Sequence, residues 1–301
     1  MKKEAQFFGH TLPNPIVISS GAYKIDISES SLMIKSVGAL TIKSLKKTAI
    51  AGNPPPRGTG VCKEDILECY YPKDDLEDSK GIVNYIGLEG PGIDGFISQY
   101  ALAYQKSGGR FIASAAGNSV AEYVYVVERL SALGIFLAIE VNVSCPNVAD
   151  GLVFGTDANM TYALISELRK RTKMPLIVKL APNVDDICKI AEVALLAGAD
   201  GLSLINTILV KARMKDGREI VGGLSGPIIR PIAKRLVKQV CNAFPNVPVI
   251  AGGGVWCLQD VLDMLSYGAT LVGVGTLNFT RGDAVLNLIN EYEQYVASGP
   301  G

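Results

Sequence analysis

The chain has 301 residues, of which 48% are hydrophobic and 19% charged, so it carries ample apolar material for a globular core. Its 29 basic and 29 acidic residues cancel, which leaves no overall field to attract nucleic acid or an anionic membrane. This balance favours chemistry on a small molecule.

The amino terminus, the single histidine and the cysteines narrow the class further. Glu4 and Gln6 break the amino-terminal stretch before any long apolar core, so we predict no signal peptide. No apolar run approaches the ~20 residues of a membrane helix, so a soluble, cytoplasmic protein is expected. His10, the only histidine, argues against Ser-His-Asp hydrolysis and is assigned to the surface of an amino-terminal hairpin. The cysteines form no CxxC pair and are interpreted as reduced thiols without a metal: Cys62, Cys69, Cys145, Cys188, Cys241 and Cys257.

In chain order, short β-branched apolar runs alternate with longer amphipathic runs, a pattern typical of strand-helix units. The predicted strands are 15–20, 39–44, 110–117, 137–143, 175–181, 201–207, 248–255 and 270–276. The predicted helices are 28–37, 92–107, 120–133, 161–172, 185–197, 227–243, 258–267 and 283–296. Eight units predict an α/β fold, a (β/α)8 TIM barrel of about 250 residues with an amino-terminal hairpin, as one domain over 1–301. The rival is a doubly wound open sheet, but no GxGxxG follows the first strand.

Two segments interrupt the alternation. Residues 63–80 are polar, acidic and long for a connection, so we predict an inserted loop or lid over the site. Residues 211–221 predict a hairpin that turns at Asp216-Gly217.

The stretch from Ile139 to Asn147 is the first candidate for a site. Its apolar run ends in small polar side chains, and Pro146 cannot continue a central strand. Asn142, Cys145 and Asn147 therefore follow the carboxyl end of a strand, where α/β proteins place their chemistry. The Cys145 thiolate is a candidate base or nucleophile. Three other cysteines, in helices or at helix starts, are assigned to core packing: Cys188, Cys241 and Cys257.

Glycine-rich turns follow predicted strands seven and eight, at residues 252–254 and 273–276. Barrels commonly bind a phosphate there, because glycine lets backbone N–H groups approach an anion closely. A third cluster, residues 222–227, is predicted to open the helix after strand six and to add N–H groups to the same ligand. These turns favour a phosphorylated cofactor, with glycines used only for tight turns as the alternative.

Lys43 and Lys179 lie at or within predicted strands two and five. An unpaired buried ammonium is costly, so Lys179 must reach an anion, form an ion pair across the barrel, or act as a neutral amine. Electrostatic support of an anionic cofactor and Schiff-base chemistry both fit this position.

Residues 142–147, Asn-Val-Ser-Cys-Pro-Asn, resemble the signature of the class 1 dihydroorotate dehydrogenases, flavoenzymes of pyrimidine biosynthesis. The resemblance extends over nearly the whole chain and is closest to the catalytic (FMN) subunit of class 1B. Further motifs of that branch occur in the same order, at 52–57, 84–88, 178–184, 205–207 and 222–227.

This resemblance implies a barrel that holds FMN at its carboxyl-end face. Lys179 would place positive charge beside the ring edge that becomes anionic on reduction. Ser114 occupies a place where the family usually has a flavin-contacting asparagine. The implied phosphate contacts are Gly253, Gly254, Gly275 and Thr276. The other implied cofactor contacts are Ser20, Lys43, Ser44, Asn142, Lys179, Ile205 and Gly226.

The resemblance also implies oxidation of (S)-dihydroorotate to orotate, in which Cys145 takes the C5 proton while hydride leaves C6 for flavin N5. Asparagine suits the substrate ring, because one side chain offers both a donor and an acceptor. Tyr85 replaces a small residue and 63–80 looks inserted, so a related dihydropyrimidine is an alternative substrate. The implied substrate residues are Lys43, Asn84, Tyr85, Ile86, Gly87, Leu88, Asn142, Asn147, Asn206 and Thr207.

The resemblance further implies partners for the electrons. A class 1B chain forms a homodimer and works with a second subunit that carries FAD and an iron-sulfur cluster and reduces NAD.

Two interpretations from other functional classes stay open. One is a barrel lyase that uses Lys179 as a Schiff base on a sugar phosphate, and the other is a catalytically silent flavin-binding subunit.

Overall fold

The computed structural model describes residues 2–28, 31–143 and 154–299, which fold into alternating strands and helices. In chain order the strands are β1 (Ala5–Phe7), β2 (His10–Leu12), β3 (Ile16–Ile18), β4 (Ala39–Thr41), β5 (Gly58–Val61), β6 (Ile66–Cys69), β7 (Gly81–Asn84), β8 (Phe111–Ala115), β9 (Phe136–Asn142), β10 (Leu176–Lys179), β11 (Gly201–Leu204), β12 (Ile208–Arg213), β13 (Glu219–Ser225), β14 (Val249–Gly252) and β15 (Leu271–Val274). The helices are α1 (Ser31–Ser36), α2 (Gly92–Gln99), α3 (Ala101–Lys106), α4 (Val120–Leu133), α5 (Ala158–Arg171), α6 (Ile187–Leu196), α7 (Arg230–Ala243), α8 (Leu258–Ser266) and α9 (Ala284–Ser298).

Eight of the described strands close into a barrel in the order β3, β4, β8, β9, β10, β11, β14, β15, and every neighbouring pair is parallel. Their residues are almost all buried, as expected for a parallel sheet covered on both faces. The predicted (β/α)8 barrel is confirmed. The predicted strands run one to three residues past the observed carboxyl ends, because there the chain leaves the ladder.

The amino-terminal hairpin of β1 and β2 closes one end of the barrel. Phe7 and Leu12 belong to an apolar cluster that is separate from the main core. His10 is exposed on this hairpin, as predicted. The barrel residues of the cluster are Val17, Ala39, Ile112, Ala138, Ile177, Ile250 and Leu271. A ligand must therefore enter from the opposite end, where the strands have their carboxyl termini.

A five-stranded antiparallel sheet, here named the cap sheet, covers that opposite end in the order β5, β7, β13, β12, β6. Strands β12 and β13 form the predicted hairpin around Asp216-Gly217, but it is longer than predicted, with Ile208 opposite Leu224. The predicted loop or lid at 63–80 does contribute to the cover of the site, but it is not all loop, because Ile66–Cys69 is a strand of the cap sheet that pairs with β12. Its partner lies far along the chain, so local sequence carries no signal for the pairing.

Two further predictions need correction. Residues 92–107 form two helices, because Tyr100 leaves helical geometry with φ −121° and ψ −29°. Gly222 and Gly223 lie inside β13 and do not open a helix. A Cβ on Gly223 would lie 2.2 Å from Thr207 Oγ1, so glycine is required there for close packing.

The described cysteines, Cys62, Cys69, Cys188, Cys241 and Cys257, are free thiols. Burial in α7 raises the pKa of Cys241 to about 11, which agrees with core packing. The core assignment is wrong for Cys257, which is exposed at the start of α8. No helix in the described ranges has both the length and the apolar content needed to cross a membrane.

Candidate functional site

A cavity of about 260 Å³ opens between the carboxyl ends of the barrel strands and the cap sheet. Residues at or just after seven barrel strands form its floor and walls, and Ile82, Asn84 and Ser225 of the cap sheet line it from above. Parallel barrels present their reactive groups at this end, because the loops that follow the strands converge there.

Five polar side chains form a hydrogen-bonded row in the floor. Ser44 Oγ lies 2.8 Å from Ser114 Oγ and 3.3 Å from Ser20 Oγ. The same hydroxyl accepts a hydrogen bond from Asn142 Nδ2 at 3.0 Å. Asn142 Oδ1 accepts from Asn206 Nδ2 at 3.4 Å. The row fixes the orientation of the Asn142 amide, which faces the cavity with defined donor and acceptor ends.

Lys179 and Glu140 lie on the neighbouring strands β10 and β9, and both line the cavity. Lys179 Nζ is 3.5 Å from Glu140 Oε1, and the two side chains are only 11% and 3% exposed. The Ser114 hydroxyl donates to the same carboxylate oxygen at 3.4 Å. Lys179 therefore does form an ion pair, but with a residue of the neighbouring strand and not across the barrel, and it also faces the cavity.

Lys43 lies just past β4, between the floor and the cap sheet. Its Nζ is 3.8 Å from Glu89 Oε2, and Arg57 Nη1 holds the same carboxylate oxygen at 2.6 Å. Burial lowers the pKa of Lys43 below its ordinary value, Glu89 opposes this change and Arg57 adds to it. The lysine is placed to pair with the carboxylate of a bound ligand.

The glycine turn after β14 forms one wall of the cavity and packs on α7. Gly253 and Gly254 have φ angles of 111° and 74°, which favour glycine. A Cβ on Gly254 would lie 2.7 Å from Arg230 Cα, and one on Gly253 would lie 2.7 Å from Ala233 Cβ. Main chain therefore forms this wall, and backbone N–H groups at such a turn suit a phosphate.

Asp260 supports this turn from behind. It is 1% exposed, and its Oδ2 accepts hydrogen bonds from the backbone N–H of Trp256 at 2.9 Å and of Cys257 at 3.2 Å. Lys234 Nζ lies 2.9 Å from its other oxygen. The buried carboxylate is thus satisfied, and the turn is anchored to α7 and α8.

The cap sheet and the turn after β11 supply amides above the floor. Asn84 Nδ2 donates to the carbonyl of Gly223 at 3.1 Å, which ties β7 to β13 at the cavity. The backbone N–H of Thr207 donates to Asn206 Oδ1 at 2.8 Å. Apolar side chains of Ile86 and Leu88 complete this side.

The structure brings most of the predicted site residues to one cavity. Tyr85 and Gly87 lie in the loop that follows Asn84 of β7, but they are not among the lining residues, and Ser114 is fully buried beneath Ser44. Cys145 and Asn147 lie outside the described residues. The predicted residues that line the cavity are Ser20, Lys43, Ser44, Asn84, Ile86, Leu88, Asn142, Lys179, Ile205, Asn206, Thr207, Gly226, Gly253, Gly254, Gly275 and Thr276.

Sequence reasoning missed Glu140, Thr41, Ser203 and Phe279, which also line the cavity. Glu140, Thr41 and Ser203 could have been predicted, because each lies two residues before a predicted site residue and side chains two residues apart on a strand share a face. Glu140 precedes Asn142 by two residues in this way. Phe279, which is 61% exposed, had no such signal.

The cavity combines a glycine turn, two lysines and apolar surface from Leu204, Ile205 and Ile229. A flat, phosphorylated cofactor with polar ring edges suits these groups, and the amides above the floor suit a small polar substrate.

Comparison with known proteins identifies a matching family, similar sequences and a similar structure. A family model described as dihydroorotate dehydrogenase matches residues 3–295. The catalytic subunit of dihydroorotate dehydrogenase B (NAD(+)) from Malacoplasma penetrans is 39% identical over 292 residues, which are 95% of this chain and 90% of the relative. The same subunit from Fusobacterium nucleatum is 40% identical over 295 residues, 96% of this chain and 91% of the relative. The crystal structure of DHODH in complex with ferulenol from Eimeria tenella has a similar fold, with a TM-score of 0.77 over 96% of this chain and 83% of that chain, at 20% identity.

Proposed function

The chain belongs to the dihydroorotate dehydrogenase family, whose members are flavoproteins, and we propose that it oxidises (S)-dihydroorotate to orotate with bound FMN in de novo pyrimidine biosynthesis. The observation that carries this proposal is one cavity that joins glycine turns and two lysines to a set of asparagine amides. The first part suits the cofactor and the second suits the substrate.

FMN would be held by the floor and walls of the barrel. The turns at Gly253-Gly254 and Gly275-Thr276 would bind its phosphate through backbone N–H groups. Lys179 would face the ring edge that gains negative charge on reduction. The remaining contacts would come from Ser20, Lys43, Ser44, Asn142, Ile205 and Gly226, with Ser114 supporting Ser44 from below.

Dihydroorotate would lie between the flavin and the cap sheet. Lys43 would pair with its carboxylate, in exchange for part of the present contact with Glu89. Amide groups would recognise the ring edges through paired donors and acceptors. The residues proposed for this role are Asn84, Tyr85, Ile86, Gly87, Leu88, Asn142, Asn147, Asn206 and Thr207.

Cys145 would act as the general base that removes the proton from C5 of dihydroorotate. Bound FMN supplies the acceptor, at its N5, for the hydride that leaves C6. Loss of one proton and one hydride converts the C5–C6 single bond to the double bond of orotate. Lys43 and the asparagines would hold the ring in place during both losses.

The absorption spectrum of the purified protein, before and after anaerobic addition of dihydroorotate, tests cofactor and substrate together. We expect a yellow protein whose flavin band bleaches. A yellow protein that does not bleach would favour another dihydropyrimidine, and it would be tested with a series of these. A colourless protein that takes up no added FMN would contradict the proposal.

The role of Cys145 is tested by Cys145→Ala, with Cys188→Ala as the matched control, because Cys188 lies on the outer helix α6 and is not among the residues that line the cavity. We expect Cys145→Ala to retain FMN but to lose at least about 100-fold in the rate of flavin reduction by dihydroorotate, the usual scale of general-base catalysis. The control should reduce at the parent rate. Undiminished reduction in Cys145→Ala would contradict the assignment.

We also propose that electrons leave through a second subunit that carries FAD and an iron-sulfur cluster and reduces NAD, and that the catalytic chain forms a homodimer. The names of the relatives, which describe a catalytic subunit of an NAD(+) enzyme, support this proposal. Copurification of such a subunit with dihydroorotate-dependent NAD reduction is the expected result. Turnover with fumarate alone, without any stable complex, would contradict the class 1B assignment and leave the dehydrogenase activity intact.

The Schiff-base lyase has no observation in its favour, because Lys179 is engaged with Glu140 and the family is one of dehydrogenases. Borohydride trapping of a sugar phosphate on Lys179 would be the result that revives it.

A further inference from the structure

Glu140 has no part in the proposed function, although it lines the same cavity. In the described ranges, the charged side chains of the cavity wall are Lys43, Glu140 and Lys179. Glu140 is 2% exposed and points into the site from β9, one of the strands that carry the floor. A buried carboxylate is costly unless it is paired, so this residue needs an explanation.

We propose that Glu140 is a positioning residue that holds the Lys179 ammonium and partly neutralises its charge, and thereby sets the reduction potential of the bound flavin. This inference rests on the proposed function, because it concerns the cofactor that the cavity would hold. It assigns to Glu140 a role separate from substrate binding and from proton removal.

The geometry holds the carboxylate in place from two sides. Lys179 Nζ lies 3.5 Å from Glu140 Oε1, and the Ser114 hydroxyl donates to the same oxygen at 3.4 Å. Ser114 is itself held by Ser44 at 2.8 Å. All four residues lie on or directly after adjacent barrel strands, so the position of the charge pair is set by the sheet and does not depend on a mobile loop.

The electrostatics decide the sign of the effect. Reduction adds negative charge to the flavin, which Lys179 stabilises and Glu140 opposes. Charges interact strongly in a site that a bound cofactor shields from water, so the balance between the two groups determines how easily the flavin is reduced. Removing the negative charge of Glu140 removes its opposition to the added charge, and the flavin becomes easier to reduce.

The test uses Glu140→Gln, which keeps the size of the side chain and removes its charge. Glu192→Gln is the matched control, because it removes an exposed carboxylate from the outer helix α6, where Glu192 pairs with Lys189. In Glu140→Gln we expect the two-electron reduction of bound FMN to become at least about tenfold more favourable, which corresponds to a potential about 30 mV more positive. The control should keep the parent potential.

Two additional measurements separate this role from a merely structural one. In the protein without flavin, labelling of Lys179 by an amine reagent, read by mass spectrometry, should become faster in Glu140→Gln, because the carboxylate that contacts the lysine amine is gone. Lys43, the other lysine of the cavity wall, serves as the internal reference. In a Lys179→Met background, Glu140→Gln should leave the potential unchanged, because the group through which Glu140 acts is absent.

Each outcome has a definite meaning. An unchanged potential in Glu140→Gln, or an equal rise in the Lys179→Met background, would overturn the inference while the proposed function stands. A parent protein that binds no flavin would overturn the proposed function, and the labelling result would still decide whether Glu140 acts on Lys179. If Glu140→Gln does not fold, Glu140→Asp is used, which withdraws the carboxylate from Lys179, and absence of any rise in its potential would overturn the inference.

Discussion

The floor of the barrel and the cap sheet enclose the same cavity, but the chain builds them in opposite ways. Floor strands that are neighbours in the barrel are also consecutive floor strands along the chain, and their residues are buried on both faces. The cap sheet joins segments around residues 58–84 to the hairpin at 208–225, and its strands are half exposed. We expect that the barrel side determines cofactor binding and shares Asn142 with the substrate, whereas the cap sheet acts on substrate binding alone.

A substitution on the barrel side of the cavity, in the wall at Gly254, should therefore abolish flavin binding, and this is the largest effect that we expect. In Gly254→Ala the added Cβ would meet Arg230 Cα at 2.7 Å, at a φ of 74° that costs on the order of 1–3 kcal/mol for a non-glycine residue. We expect loss of bound FMN and a lower melting temperature. Gly282→Ala is the control, since a Cβ there has no neighbour within 4 Å. Full flavin content in Gly254→Ala would contradict the assignment of cofactor binding to the barrel side of the cavity.

A substitution in the cap sheet should change substrate binding alone. In Gly223→Ala the Cβ would lie 2.2 Å from Thr207 Oγ1, so either Thr207 or β13 must move. We expect KM for dihydroorotate to rise at least about tenfold, about 1.4 kcal/mol of binding, while flavin content stays at the parent value. Val221→Ala, on the exposed part of the same strand, should leave both unchanged. Loss of flavin without a change in KM would contradict the comparison.

Lys43 lies between the floor and the cap sheet, and its lowered pKa should appear in the pH dependence of ligand binding. Because burial lowers that pKa, the ammonium is lost at a lower pH than in an ordinary lysine. We expect the dissociation constant of orotate, read from the flavin spectrum, to rise with pH before the usual lysine range, by up to about tenfold for each unit above the pKa. Lys43→Arg should flatten this rise, whereas Lys63→Arg in the inserted segment should not. A flat profile in the parent protein would exclude Lys43 as the partner of the carboxylate.

A substitution at the contact between the cap sheet and the barrel should have the smallest effect, and this effect is on stability. Tyr70, which follows β6, donates its hydroxyl to Asp185 Oδ1 at 2.7 Å, beyond the end of β10. Hydrogen bonding to Asp185, with a smaller contribution from burial, raises the pKa of Tyr70 to about 12. The hydrogen bond between Tyr70 and Asp185 therefore adds to the free energy of unfolding below about pH 10, the ordinary tyrosine pKa. This stabilisation is lost as the pH rises through about 12.

We expect Tyr70→Phe to lower the free energy of unfolding by less than about 1 kcal/mol at pH 7, because the pair is exposed, and to leave flavin content unchanged. Urea denaturation measures the difference. Tyr162→Phe, an exposed tyrosine on α5, is the control. A loss of several kcal/mol would mean that the cap sheet and the barrel unfold as one tightly coupled unit.

The amino-acid sequence by itself determined the barrel, the amino-terminal hairpin and the glycine turn at Gly253-Gly254. These features follow from local patterns, namely apolar runs that alternate with amphipathic ones and glycines at fixed places after strands. Asn142 and Lys179 were found in the same way, because polar residues at the end of a buried strand stand out.

Only the tertiary structure decided the cap sheet and the charge pair in the floor. Strand β6 exists because β12 pairs with it, and a pairing between distant segments leaves no mark in the local pattern. Glu140 lies within a buried apolar run, and its partner Lys179 is on the next strand of the barrel. Their interaction required the register of two strands that only the closed barrel brings side by side.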